Sequence, residues 1–141
     1  MKQSFVTKVR FIKDGEVFFG ELNCFLDTDS VNFQFLYDEK EINVSKEFAF
    51  FALVELRLEL EKEQIKLVCE GSRYDVYPSG MQLDGFAACE LELFKRVTII
   101  VDILDETQLI DKIATVKEQE DFYHKWFDSV NFGDVIGSKN I

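Results

Sequence analysis

The sequence predicts a single α+β domain, in which an antiparallel β-sheet is covered on one face by two helices. Two alternating apolar runs flank Asp14-Gly15, the hydrophobic period changes from two to about 3.6 residues at Ser45, and Thr115-Val116-Lys117-Glu118 has the form of a helix-capping box. The chain has 141 residues, 47% of them hydrophobic, which is enough for a substantial core without disulfides. We expect one domain over residues 1–132 and a frayed tail at 133–141.

The N-terminal third is predicted to be a β-meander that begins with a hairpin over residues 4–26. Asp14-Gly15 favours a two-residue type I′ turn, so that the numbers of paired residues sum to 29. Opposite charges then meet at Lys8 and Glu21, which supports this register. The pairs predicted on the core face are Phe5/Cys24, Thr7/Leu22, Val9/Gly20 and Phe11/Phe18. Further strands are predicted at Val31–Tyr37 and Glu41–Val44.

A central helix is predicted over residues 46–63, with Ser45 as its N-cap. Apolar side chains recur every fourth residue and face the sheet: Phe48, Ala52, Leu56 and Leu60, with Phe51, Leu53 and Leu58 widening the stripe. Glutamates alternate with Arg57 and Lys62 on the predicted solvent side. A strand at Ile65–Cys69 should then lead into a loop at Gly71–Gly80.

The second half of the chain is predicted less uniformly. Residues 81–96 alternate as a strand would, but their alanines, glutamates and leucines favour a helix, and we interpret them as a helix. Val97–Leu104 is apolar and β-branched, which is typical of a central strand. A C-terminal helix should open at Thr115 and run to about Val130, docked by Phe122, Trp126 and their neighbours.

The net charge of −11 restricts the classes of partner. Residues 1–20 carry a net charge of +2, which leaves −13 on residues 21–141. An acidic body of this kind repels nucleic acid and anionic lipid, so we expect neither to be a partner. A basic protein fits this charge, although acidity also serves solubility alone.

The chain offers little recognisable catalytic chemistry. Cys24, Cys69 and Cys89 sit in apolar runs without metal-ligand spacing, so we expect them to be buried and reduced. His124 is the only histidine, and no nucleophile elbow or phosphate-binding loop is present. We therefore predict no catalytic residue, no metal site and no cofactor. The N-terminus lacks the apolar region of a signal peptide, which predicts a cytoplasmic protein.

Two groups of residues are the candidates for contact with a partner. The loop carries Arg73, Asp75, Tyr77 and Ser79, which form either a self-satisfied turn with an Arg73–Asp75 pair or a recognition surface. The second group is Asp102, Asp105 and Glu106, just after the predicted central strand. These carboxylates form a solvated rim, a rim that docks a basic partner, or an ion or acid/base site.

The run from Leu67 to Met81, Leu-Val-Cys-Glu-Gly-Ser-Arg-Tyr-Asp-Val-Tyr-Pro-Ser-Gly-Met, carries a resemblance to a known group of proteins. With the Leu/Glu-rich helix before it and Val101–Leu104 after it, it resembles a family of small bacterial proteins, some of which belong with immunity proteins of contact-dependent or polymorphic toxin systems. The resemblance implies no enzymatic role. Residues 82–86 match no pattern of that family.

The leading functional hypothesis is therefore a non-catalytic immunity protein that occludes a basic partner, namely a cognate toxin domain. One alternative is an enzyme or small-ligand-binding domain that uses the Arg73–Ser79 loop. Another is a housekeeping homodimer, suggested by Phe19 and Phe50, which the predicted faces do not fully bury.

Overall fold

The structure, a computed structural model, describes residues 3–96 and 99–139, with side chains described as far as Asn131. The described residues form an α+β fold with two antiparallel sheets and two α-helices. The five-stranded sheet has the order β4-β3-β2-β1-β5, and the three-stranded sheet has the order β6-β7-β8. The elements are β1 Gln3–Lys13, β2 Glu16–Leu26, β3 Val31–Tyr37, β4 Lys40–Lys46, α1 Ala49–Glu61, β5 Lys66–Val68, β6 Val76–Tyr77, β7 Ala87–Glu90, β8 Ile100–Asp102 and α2 Val116–Lys139.

The predicted hairpin and its register are confirmed. Asp14 and Gly15 both have positive φ angles, of 53° and 79°, as a type I′ turn requires. Lys8 pairs with Glu21 and Phe11 with Phe18, so the paired numbers sum to 29. A second two-residue turn, at Asp38 and Glu39, also has positive φ at both residues and joins β3 to β4. The meander of four strands is thus built from local turns.

The core lies between α1 and one face of the five-stranded sheet, which we call the inner face. It contains the predicted Val9, Phe11, Leu22 and Cys24, together with phenylalanines of β3 and the leucines of α1. Phe5 and Phe18 lie on the same face but remain partly exposed at its margin. The opposite face, which we call the outer face, carries Val6, Phe19 and Phe25, all exposed.

The central helix is shorter than predicted, and one of its faces was wrongly assigned. It begins at Ala49 rather than at residue 46, because Ser45 pairs with Asn32 as part of β4. Arg57, predicted on the solvent side, is fully buried, whereas Phe51 and Leu58 are exposed. Contacts with other parts of the chain explain both differences. Ser45 pairs with Asn32 in the sheet, and Arg57 binds Ala114 and Gln119.

Two predictions for the second half are also wrong. Residues 81–96 contain no α-helix, because β7 pairs with β6 on one side and β8 on the other and this pairing overrides helical propensity. The strand predicted at Val97–Leu104 is seen at Ile100–Asp102, where it ends the sheet instead of occupying its centre. Val97 and Thr98 lie outside the described residues. The strand predicted at Ile65–Cys69 is confirmed as β5, which pairs with β1.

The C-terminal helix opens where predicted. The Thr115 hydroxyl accepts a hydrogen bond from the backbone of Glu118, and the Glu118 carboxylate accepts one from the backbone of Thr115. The helix packs against α1 and β6 rather than across the five-stranded sheet, and it continues past the predicted end at Val130. The division into a domain of residues 1–132 and a frayed tail stays a prediction.

Candidate functional site

The first part of the loop between β5 and β7, residues 69–78, is mostly buried, whereas residues 79–81 are exposed. Its first turn, Glu70–Ser72, lies against the segment after β8: the N–H of Gly71 donates to Ile103 O at 2.8 Å and that of Glu70 to Asp105 O at 2.9 Å. A Cβ added at Gly71 would lie 2.5 Å from Leu53 Cδ2 and 2.8 Å from the Ile103 carbonyl oxygen. Glycine is therefore required for the loop to approach both α1 and the Ile103 backbone so closely.

The charged side chains of this loop form a closed group, which we call the Arg73 network. Arg73 donates from Nε to Asp75 Oδ1 and from Nη2 to Asp75 Oδ2, both at 2.9 Å, so the predicted bidentate pair is confirmed. Its Nη1 donates to Glu70 and its Nη2 also to Glu90 Oε1 at 3.0 Å. Lys112 Nζ completes the network at 3.1 Å from Asp75 Oδ2. Arg73 is 2% exposed and Asp75 5%, so the centre of the network is buried, whereas the side chains of Glu90 and Lys112, 30% and 34% exposed, reach the surface.

The electrostatics of the network stabilise the charged forms. Burial alone would lower the pKa of Arg73, but its hydrogen bonds to Asp75, Glu90 and Glu70 outweigh burial and raise that pKa. The hydrogen bond to Asp75 likewise raises the pKa of Lys112. The network thus sets two cationic side chains, Arg73 and Lys112, against the carboxyl groups of Glu70, Asp75 and Glu90.

A second buried group joins the loop to both helices. Arg57 of α1 donates from Nη2 to Ala114 O at 2.9 Å and from Nη1 to the Gln119 side chain. Gln119 of α2 lies with Nε2 within 2.9 Å of the carbonyl oxygens of Gly71, Arg73 and Val76. Burial lowers the pKa of Arg57. The two helices and the loop are therefore joined by buried hydrogen bonds, and breaking any of them would leave a buried polar group without a partner.

The structure separates the predicted contact residues into interior and surface groups. Arg73 and Asp75 are buried, Tyr77 is half-buried against Tyr123, and Ser79 is exposed at the start of a short turn. The acidic residues Asp102, Asp105 and Glu106 lie at the surface, and Glu106 contacts Arg10 at 2.9 Å. Partial burial raises the pKa of Asp102, whose carboxylate accepts the Leu104 N–H at 2.9 Å. Backbone hydrogen bonds bring this segment to the loop, but the side chains of the two groups do not join in one cavity.

Sequence reasoning missed Arg57, Glu90, Lys112 and Gln119 as members of these buried groups. Arg57 could have been found, because it lies four residues after Leu53 and three before Leu60, on the apolar stripe of α1. Glu90 and Lys112 carry no such signal, since only the tertiary fold brings Glu90 to Arg73 and Lys112 to Asp75.

The groups suited to chemistry are sparse in the part of the chain that the structure describes. No set of three or more His, Cys, Asp or Glu side chains there is arranged to hold a metal ion. The three cysteines are free and buried, as predicted. Burial raises the pKa of Cys24 to about 11, and burial also raises the pKa of Cys69. His124 is exposed, with Nε2 at 3.8 Å from Glu120.

The outer face of the five-stranded sheet combines apolar and acidic side chains. Lys8, Glu21, Leu36 and Glu41 are aligned across four strands, and Phe19, 66% exposed, lies beside them. With Asp38, Glu39 and Lys40 they surround a shallow depression of about 590 Å³. Glu21 and Glu41 contact the amides of Asn23 and Asn43, and within residues 3–96 and 99–131 neither forms a salt bridge.

No protein-family model matches the chain, and no curated protein is significantly similar to it. Among residues 3–96 and 99–139, neither helix is long and apolar enough to cross a membrane.

Proposed function

We propose that this protein is a non-catalytic binding protein that occludes a basic protein partner, and most specifically an immunity protein that neutralises a cognate toxin domain. The observation that carries the proposal is the outer face, where Phe19, Val6 and Phe25 are exposed beside Glu21 and Glu41, two carboxylates that form no salt bridge within the described residues. Apolar patches with a polar rim are typical of protein interfaces, and an aromatic side chain is the usual anchor of such an interface.

Charge supports a basic partner. The depression around Phe19 has four carboxylates, from Glu21, Asp38, Glu39 and Glu41, against the lysines Lys8 and Lys40. The whole chain carries −11, so its field attracts a basic surface over a distance set by the ionic strength. The exposed acidic residues Asp105 and Glu106 adjoin this face through the contact of Glu106 with Arg10.

The Arg73 network favours this function over an enzyme that uses the loop. Arg73 and Asp75 are hydrogen-bonded to each other and to Glu70, Glu90 and Lys112. Both side chains are therefore already bound within the protein. In the proposed function they support the fold, and the surface residues of the predicted set, Tyr77, Ser79, Asp102, Asp105 and Glu106, stay candidates for contact. The homodimer is the remaining alternative; Phe50 is buried in the core, but Phe19 still favours it.

The test is co-elution with the protein encoded by the neighbouring open reading frame, at low ionic strength. We expect a stable heteromeric complex whose association rate falls as salt is raised. A pair that elutes separately refutes the proposal, and a dimer of this chain alone by light scattering favours the homodimer.

Two variants locate the interface. The double substitution Glu21→Gln and Glu41→Gln should slow association about twofold to tenfold at low salt, whereas the charge-matched control Glu63→Gln and Asp128→Asn should change it less. Phe19→Ala should cost about 2 kcal/mol of binding, a roughly thirtyfold faster dissociation, if this ring is an anchor. If the two double variants slow association equally, the interface does not lie at Glu21 and Glu41.

A further inference from the structure

An aromatic cleft lies between β6, β7 and α2, and it shares no residue with the outer face. Its volume is about 300 Å³. The walls include the rings of Tyr77, Tyr123, Trp126 and Phe127, with Pro78 and Leu91. Concave, mostly apolar sites with a few polar groups are the usual places for small ligands, and this volume is at the lower end of their range.

The wall formed by α2 is held in place by hydrogen bonds to the segment after β7. Trp126 Nε1 donates to Lys95 O at 2.9 Å, and the N–H of Phe94 donates to Ser129 Oγ at 2.9 Å. The Tyr77 and Tyr123 rings stack with centroids 3.9 Å apart and an angle of 15° between planes. The ring of Trp126 follows at 6.2 Å from that of Tyr123, also nearly parallel. The aromatic surfaces are therefore fixed before any ligand arrives, which reduces the entropy cost of binding.

The floor of the cleft is fixed by the buried groups described above. Gln119 of α2 holds the carbonyl oxygen of Val76 in β6 at 2.9 Å. On the other side, the N–H of Leu91 donates to Asp75 O at 2.7 Å, next to the Arg73 network. Separation of the two walls would break buried hydrogen bonds, so these bonds stabilise the open shape of the cleft in the folded protein.

The composition of the cleft selects the class of ligand. The four aromatic rings of the lining favour a planar aromatic compound, because offset or edge-on ring pairs add attraction beyond the area they bury. The charge of −11 on the chain disfavours an anion. The polar residues of the lining include Tyr77, Tyr123, Ser79 and Asn131.

We infer that the aromatic cleft binds a small, planar aromatic compound that carries no negative charge. An apolar cavity of about 150 Å³ holds one benzene ring, so a cleft of about twice that volume fits two fused rings. A single hydroxyl or carbonyl on the ligand would meet the tyrosine hydroxyls. The inference does not depend on the proposed function, because the residues of the outer face that carry that function do not line the cleft.

The test uses 2-naphthol as the probe and the indole N–H signal of Trp126 as the reporter. Trp126 is the only tryptophan, so the ¹H–¹⁵N spectrum of the full chain contains one indole signal, and that signal belongs to the cleft. We expect a saturable shift of this signal on titration, with a smaller response to cyclohexanol, which carries the same hydroxyl on a non-planar ring. A response that stays linear to the solubility limit of 2-naphthol, or an equal response to cyclohexanol, overturns the inference.

Variants and charged probes sharpen the test. Phe127 is partly exposed, so Phe127→Ser and Phe127→Asp should fold while they remove one wall, and each should weaken 2-naphthol binding at least about tenfold. Phe19→Ala, on the outer face, is the matched control and should leave the binding constant unchanged. Unchanged binding in both Phe127 variants refutes the site, and tighter binding of 2-naphthoate than of 2-naphthol refutes the ligand class.

Discussion

Removal of the Arg73 guanidinium should destabilise the fold far more than removal of a surface cation. In Arg73→Met the carboxylate of Asp75, 5% exposed, loses its bidentate partner and keeps Lys112 alone. Breaking a buried ion pair from one side costs about 3–5 kcal/mol, because the remaining charge stays desolvated. Glu70 and Glu90 lie nearer the surface and add less, since water can reach them. A domain of this size has roughly 5–15 kcal/mol of stability, so the variant should still fold.

The assay is urea unfolding followed by far-UV circular dichroism, with two comparison variants. Arg73→Lys keeps the charge but cannot donate in a planar fork, and it should lose about 1.5–3 kcal/mol. Lys62→Met removes an exposed cation that lies 3.0 Å from Glu59, and it should lose less than about 1 kcal/mol. The expected order of loss is Arg73→Met, Arg73→Lys, Lys62→Met. If Arg73→Met loses no more than Lys62→Met, the account of the buried network is wrong.

Three further outcomes are expected from the same structure. Gly71→Ala should cost about 1–3 kcal/mol or more in urea unfolding, because its Cβ would meet Leu53 and the Ile103 backbone, whereas Gly85→Ala meets nothing within 4 Å and should cost little. Hydrogen bonds from Thr115 lower the pKa of Glu118, so its contribution is present above the ordinary carboxyl pKa and lost as pH falls below it. The stability difference between the wild type and Glu118→Gln should therefore be measurable at pH 7 and vanish in acid; a constant difference contradicts this. Ellman's reagent should titrate all three thiols only after unfolding, because the cysteines are free and buried, and a total below three would indicate a disulfide.

The hairpin was predictable because its determinants are local. Asp14-Gly15 sets the turn, and the turn sets the register of every pair in β1 and β2. Ser45 shows the limit of such reasoning, since its capping preference is real but its pairing with Asn32 decides its conformation. Likewise residues 87–90 have a helical propensity, but their pairing with β6 and β8 stabilises the strand more than that propensity stabilises a helix.

The candidate site divides in the same way. The Arg73–Asp75 pair could be predicted from two residues of one loop, and it was. Its burial could not, because Glu90 reaches Arg73 from 17 residues away along the chain and Lys112 reaches Asp75 from 37 residues away. The aromatic cleft needs β6 and α2 together, and neither element alone indicates it.

The side chain of Gln119 has a consequence for the order in which the chain folds. It reaches back 48 residues to Gly71 and 62 to Arg57, whereas the β1–β2 and β3–β4 turns close over two residues. Short loops close faster than long ones, so the β-meander should form first. Arg57 should stay hydrated until α2 docks against it. The newly made protein should therefore gain its full resistance to proteolysis only after α2 has been synthesised and has docked.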